Sequence, residues 1–176
     1  MDDKLKYIFS NINDWLKFAE AKNAALLVFD TAILVGLVSI VSTNNGLHQY
    51  VQYYLYFCMF FIVSSIILSL LSFIPKLKMP FLYQSQRHFS QDNVLFFGHI
   101  AKYGIKEYLE LLYSQNNAKY DKKDLFQENL AGQIIINSRI ALLKYKLFEI
   151  GVWLTIIGIT SPIIAGLIFR IKTYWR

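Results

Sequence analysis

The sequence predicts an all-α integral membrane protein with three transmembrane helices and a cytoplasmic helical stalk and hairpin. Composition is the first observation behind this: of 176 residues, 55% are hydrophobic and only 17% charged, more apolar and less charged than ordinary soluble domains. The second is the length of three apolar runs, Ala24 to Ser42, Tyr54 to Ile74 and Phe148 to Phe169, each close to the roughly 20 residues a helix needs to cross the hydrocarbon core. The third is the placement of lysine and arginine. The connector Thr43 to Tyr53 has none, the head before Ala24 has four, and Pro75 to Leu147 has eleven. Cytoplasmic loops retain such residues in excess, so the amino terminus and the long polar segment are expected inside.

The resulting plan is a cytoplasmic or interfacial helix over residues 1–23, a first span over 24–42 and an external loop over 43–53. A second span over 54–74, a cytoplasmic helical segment over 75–147, a third span over 148–169 and a tail over 170–176 complete it. The tail then emerges outside with Arg170, Lys172 and Arg176, against the charge rule, so the third span is the least constrained in orientation. The start MDDKLK carries two acids, and no small-residue cleavage site follows the first apolar run, so that run is expected to remain as an anchor. Cys58 is the single cysteine and lies within the second run, where it reads as a packing residue rather than part of a disulfide.

From Asp3 to Asn23 the pattern is helical, with Tyr7, Trp15, Phe18 and Ala19 as the expected apolar stripe and Lys17 three residues from both Asp14 and Glu20. No glycine or proline separates this stretch from Ala24, which predicts one continuous helix closed on the outside by Thr43 to Gly46. Trp15 is a candidate interface anchor, and the tyrosines of YVQYYLYFCMFF form an expected interfacial girdle. Pro75, Lys76, Lys78 and Pro80 mark the cytoplasmic exit. After a polar loop over Gln84 to Asn93, VLFFGHIAKYGIKEYLELLY predicts an amphipathic helix packing through Leu95, Ile100, Tyr103, Tyr108, Leu109 and Leu112, weakened by Gly98 and Gly104. SQNNAKYDKK turns the chain back. Asp124 is the expected N-cap of a final helix, with Gln127 at the third position; unbroken to Phe169 it would run on the order of 70 Å.

Little in the chain carries covalent chemistry. His48, His88 and His99 are scattered, and no metalloprotease, hydrolase, P-loop or dinucleotide signature occurs, so the chain is not expected to be an enzyme or to hold a metal or cofactor. Asp30 stands out, because a carboxylate inside an apolar span costs several kcal/mol unless paired, hydrated or protonated. Asn23 falls on nearly the same helical face, so the two define a polar line along a helix interface or a pore. In Pro75 to Leu147 the eleven basic residues face six acids, a surface suited to anionic headgroups or a phosphate-bearing ligand. Arg139, Lys144 and Lys146 are the expected phosphate contacts, and Tyr103, Tyr108 and Tyr113 the rings available for stacking on a base.

Three stretches carry a family resemblance: WLKFAEAKNAALL at Trp15 to Leu27, FFGHI at Phe96 to Ile100, and QIIINSRIALLKYKLF at Gln133 to Phe148. Together, in order and spacing around the apolar spans, they resemble the Pycsar effector family of bacterial transmembrane proteins, from about Trp15 to about Leu167. The resemblance implies an antiviral effector, encoded beside a nucleotide cyclase, that responds to a cyclic mononucleotide made during phage infection and impairs the inner membrane. Glu20, Lys22 and Asn23 match the family's first polar cluster; Gln133, Asn137, Ser138, Lys144 and Tyr145 match its second. The expected partners are the lipid bilayer, the cyclic nucleotide and further copies of the chain, without DNA or RNA. Two other readings are a membrane scaffold that recruits a soluble partner through Asn93 to Leu147 and, less expected, a small constitutive ion-conducting subunit. The topology has a direct test. With Cys58→Ser as background, an impermeant thiol reagent applied to intact cells should label Asn45→Cys and spare Asn117→Cys; labelling of the latter would invert the expected orientation.

Overall fold

The computed structural model describes residues 1–43, 47–74, 92–116 and 124–174. They form five helices: α1 (Asp2–Thr43), α2 (Gln49–Phe73), α3 (Phe97–Ile100), α4 (Ile105–Ser114) and α5 (Leu125–Tyr174). No strand occurs among the described residues, and three helices, α1, α2 and α5, are long and apolar enough to cross a membrane. The protein is therefore an all-α, multi-pass membrane protein. The expected external turn at Asn44 to Gly46, the exit through Pro75 to Pro80, His88 and the central part of SQNNAKYDKK lie outside the described residues.

The chain divides into two compact units, Met1–Glu20 with Pro75–Tyr145, and Ala21–Ile74 with Lys146–Arg176. The first has a core of ordinary globular character. Leu5, Ile8 and Ile12 of α1 pack with Ile100, Tyr108, Leu109 and Leu112 and with Ala131 and Ile134 of α5. The buried face of α1 in this unit is thus Leu5, Ile8, Ile12 and Ala19, at helical spacing. This corrects the expected stripe: Tyr7 is 67% and Phe18 52% exposed, because both lie on other faces of the same helix. Trp15 is partly packed, its ring 5.5 Å from Phe97 and 6.2 Å from Tyr145.

Polar contacts set the pairing of α1 with α5 in this unit. Gln127 Nε2 donates to Asp2 at 2.8 Å, Asn137 Nδ2 to Asn13 at 2.8 Å and Lys144 Nζ to Glu20 at 2.9 Å. The sequence separations of these pairs are 125, 124 and 124 residues, so the two segments run parallel in one register. Asp124 caps α5 as expected, its Oδ1 accepting from the backbone of Phe126 at 3.1 Å and Gln127 at 3.2 Å. The Gln127 side chain does not close a capping box; it accepts from Tyr113 at 2.7 Å as well as donating to Asp2.

The single helix expected over Val94 to Tyr113 is two helices. Gly104 is the N-cap of α4, and the Glu107 carboxylate accepts from its N–H at 2.9 Å, one half of a capping box. Arg139 accounts for the other side of the break, donating from Nε to Ala101 O at 3.0 Å and from Nη2 to Tyr103 O at 3.1 Å. Those carbonyls follow the last turn of α3, where helical donors run out. Leu95, expected in the core, is 42% exposed, since it precedes α3 rather than sharing a helix with Ile100 and Tyr103. Tyr108 is fully buried and donates to Val94 O at 3.0 Å; burial pushes its phenol well above the usual range.

The second unit packs by a different rule. The buried residues of α2 are Cys58, Ile62, Ser65, Ser69 and Ser72, separated by alternating steps of four and three, a seam of mostly small side chains. Facing it on α5 are Gly151 and Gly158: a Cβ at Gly158 would stand 3.1 Å from Phe61 Cβ and 3.3 Å from Cys58 O, and one at Gly151 would stand 2.9 Å from Leu26 Cδ2 and 3.2 Å from Ser65 Oγ. Small residues let apolar helices approach where lipid supplies no hydrophobic driving force between them. Large side chains face outward instead, among them Val28, Phe29, Phe60, Trp153 and Ile157, and Tyr50, Tyr53, Tyr54 and Tyr56 are exposed in the expected girdle. Pro162 lies inside α5, and its missing N–H frees the carbonyl of Gly158. Ser161 Oγ donates to that carbonyl at 3.3 Å, the kind of local repair that lets proline persist in a membrane helix.

Because Ile134 is fully buried in the first unit while Ile136 on the same helix is 47% exposed, truncating each to alanine separates packing from propensity. Ile134→Ala should cost about 2–5 kcal/mol, read as a lowered thermal midpoint by circular dichroism in detergent. Ile136→Ala should change it little.

Candidate functional site

Asp30 lies inside the apolar stretch of α1 and is fully buried in the second unit. Its Oδ1 accepts from Thr155 Oγ1 of α5 at 2.8 Å. Thr155 Oγ1 stands 3.1 Å from Ser65 Oγ and 3.0 Å from Gly151 O, while Ser65 Oγ stands 3.0 Å from Gly151 O. One side chain from each of the three apolar helices therefore meets the others at a single polar node. Two hydroxyl protons serve a carboxyl, each other and a backbone carbonyl, so the node is rich in acceptors and short of donors. Among the described residues, the second carboxyl oxygen, Oδ2, has no hydrogen-bond partner, nor does Ser69 Oγ one turn along α2.

Chemically the node holds an ionisable group in a buried, mostly apolar setting. A single proton or cation gained or lost there changes the charge at the point where three helices meet, and charge in that medium is expensive. Asn23, the other member of the expected polar line, is likewise fully buried. Its neighbour in the chain, Lys22, places Nζ 5.3 Å from the centroid of the Phe148 ring. Sequence reasoning singles out Asp30 but not Ser65, Thr155 or Gly151. The available signal for Ser65 is its place in the four-and-three spacing of Cys58, Ile62, Ser69 and Ser72, which defines one face of α2.

The expected nucleotide contacts other than Lys146, which begins the α5 part of the second unit, fall in the first unit, and the structure places most of them within its fold. Tyr103 is 1% exposed, its hydroxyl donating to Asp92 Oδ2 at 2.5 Å, beside Lys102 Nζ at 3.0 Å from Asp92 Oδ1. Arg139 joins Tyr103, but through the main chain: its guanidinium is committed to the Ala101 and Tyr103 carbonyls. Lys144 is buried against Glu20, and Lys146 is exposed. Tyr113 bonds Gln127. Tyr145 stacks on Phe97 with centroids 5.1 Å apart and planes at 14°, and burial raises its phenol above the ordinary value. His99 Nδ1 accepts from the Asn93 backbone at 2.8 Å. Among the described residues no group of three or more histidine, cysteine or acidic side chains is placed to hold a metal ion.

Comparison with known proteins sets this geometry in a family. The Pycsar effector protein domain matches residues 4–171. A curated Pycsar effector protein, RsPycTM of a Rhizobium species, is 28% identical over 165 residues, covering 90% of each chain. No solved structure matches the chain.

The node can be tested through its donors. Thr155→Val keeps shape but removes a proton from an acceptor-rich cluster, and should cost about 1–3 kcal/mol, seen as a lower unfolding midpoint in detergent. Asp30→Asn should keep the midpoint near wild type, since the amide still accepts from Thr155 and adds two donors. Equal losses in both variants would mean that donor supply is not what limits the node.

Proposed function

Because the chain belongs to the Pycsar effector family, we propose that it is an anti-phage effector which answers a cyclic nucleotide made during infection by impairing the inner membrane, as a homo-oligomer and without catalysis. The observation that carries this reading is that α1 and α5 each serve in both units. Two of the helices that build the core of the first unit, α1 and α5, also supply two of the three membrane-crossing stretches. A ligand bound to the first unit acts on elements that continue into the bilayer, and it needs only to favour one of two packings of those helices. The basic character of the cytoplasmic segment supports an anionic ligand, and lysine and arginine placement supports a cytoplasmic amino terminus.

The scaffold reading predicts a different phenotype, with recruitment of a soluble protein and no change in potential. Expression in cells supplied with individual 3′,5′-cyclic mononucleotides, followed with a potential-sensitive dye, distinguishes them. Depolarisation should appear within minutes and only with a cognate nucleotide. Depolarisation independent of every nucleotide would favour a constitutive channel, and an unchanged potential in all cases would remove membrane damage from the function.

A further inference from the structure

With Tyr103 and Arg139 committed to the fold, the cationic helix α5 is a poor seat for the ligand, and a concave site elsewhere in the first unit fits better. Resting on the function proposed above, we infer that the cyclic mononucleotide binds in the groove between the beginning of α1 and the end of α4, with Tyr7 stacked on the base and Lys4 on the cyclic phosphate. The groove encloses about 500 Å³, within the range of small-ligand pockets. Its floor is apolar, formed by Ile8, Val94 and Leu112.

Two features of the rim point to a nucleotide. Tyr7 and Leu95 are positions where the apolar pattern predicts burial and the structure shows exposure, and both line this groove. An exposed ring beside an apolar floor offers a stacking platform for a planar base, sequence-tolerant and worth about 1–3 kcal/mol per base. The second feature is the partner of Lys4. Lys17, Lys102 and Lys144 each lie on a carboxylate, but Lys4 Nζ donates to the neutral carboxamide oxygen of Asn116, itself held by a 2.6 Å bond from Nδ2 to Leu112 O. A cyclic phosphodiester carries one negative charge and can replace that neutral acceptor with a charge-assisted one. Asp3, also on the groove wall, matches the single free ribose hydroxyl of a 3′,5′-cyclic nucleotide as an acceptor. The side-chain amides of Gln115 and Asn116 offer donors and acceptors to the base edge. A fatty acid would suit the floor and Lys4 but has no hydroxyl for Asp3 and no edge for the two amides.

The test is direct binding to the full chain in lipid nanodiscs, by titration calorimetry with the 3′,5′-cyclic mononucleotides of uracil, cytosine, adenine and guanine. At least one should bind wild type. Tyr7→Ala should weaken it about 5- to 150-fold and Lys4→Gln by about tenfold or more, with unchanged circular dichroism because Tyr7 is exposed. Tyr7→Trp should retain affinity, since it keeps the stacking face. Lys146→Glu, on the exposed surface of α5, should bind as wild type. If wild type binds but Tyr7→Ala and Lys4→Gln bind equally well, the groove is not the seat while the nucleotide response stands. If wild type binds none of the four, both the seat and the nucleotide limb of the proposed function fall.

Discussion

The hydrogen bond from Thr155 to Asp30, 2.8 Å long, sets the terms for the membrane-crossing unit. A carboxyl group buried among apolar helices must find its partners on those helices, within hydrogen-bond reach. Reach of that kind forces backbones together. It is met by serines along α2 and by Gly151 and Gly158 on α5, where an added Cβ would come within 3.1 Å or less of a neighbouring side chain. The small-residue seam and the polar node are thus one arrangement: without close approach the hydroxyls would miss the carboxyl, and without the hydroxyls the carboxyl would stand as an unsolvated acceptor.

The other unit packs differently. There the core is aliphatic and aromatic, and the polar side chains pair across helices or close the ends of short ones. Its basic residues divide into cations that hold the fold, such as Arg139 on two carbonyls and Lys102 on Asp92, and cations resting on neutral or solvent-facing partners. Positive charge counted along the sequence therefore overstates what is available to an anion, and position within the fold decides which cations can exchange partners.

Much of the architecture was legible because it depends on quantities that sum over many residues. Absence of charge over helix-length windows marks the spans, and Asp124 before an apolar run marks a cap. The misses arise where one contact decides. Aromatic residues on several faces of α1 obscure which face is buried, and the aliphatic set Leu5, Ile8 and Ile12 takes the core from Tyr7 and Phe18. Gly104 reads as a weak spot in a helix, but its role as an N-cap depends on Glu107 reaching back and Arg139 capping the turn before it. Arg139 looks like a phosphate ligand because its partners are backbone carbonyls, which no composition records. Ser65 and Thr155 pass as neutral filler in apolar helices until Thr155 is seen to bond both Ser65 and Asp30.

The separation of Asp30 and Thr155 by 125 residues also orders events at the ribosome. The first apolar helix is offered to the bilayer with a carboxyl inside it, at an insertion penalty of up to about 3.5 kcal/mol. Its donor, Thr155, arrives only when the last helix has been synthesised. A truncated chain released before α5 therefore leaves the Asp30 carboxyl among apolar helices without its Thr155 donor.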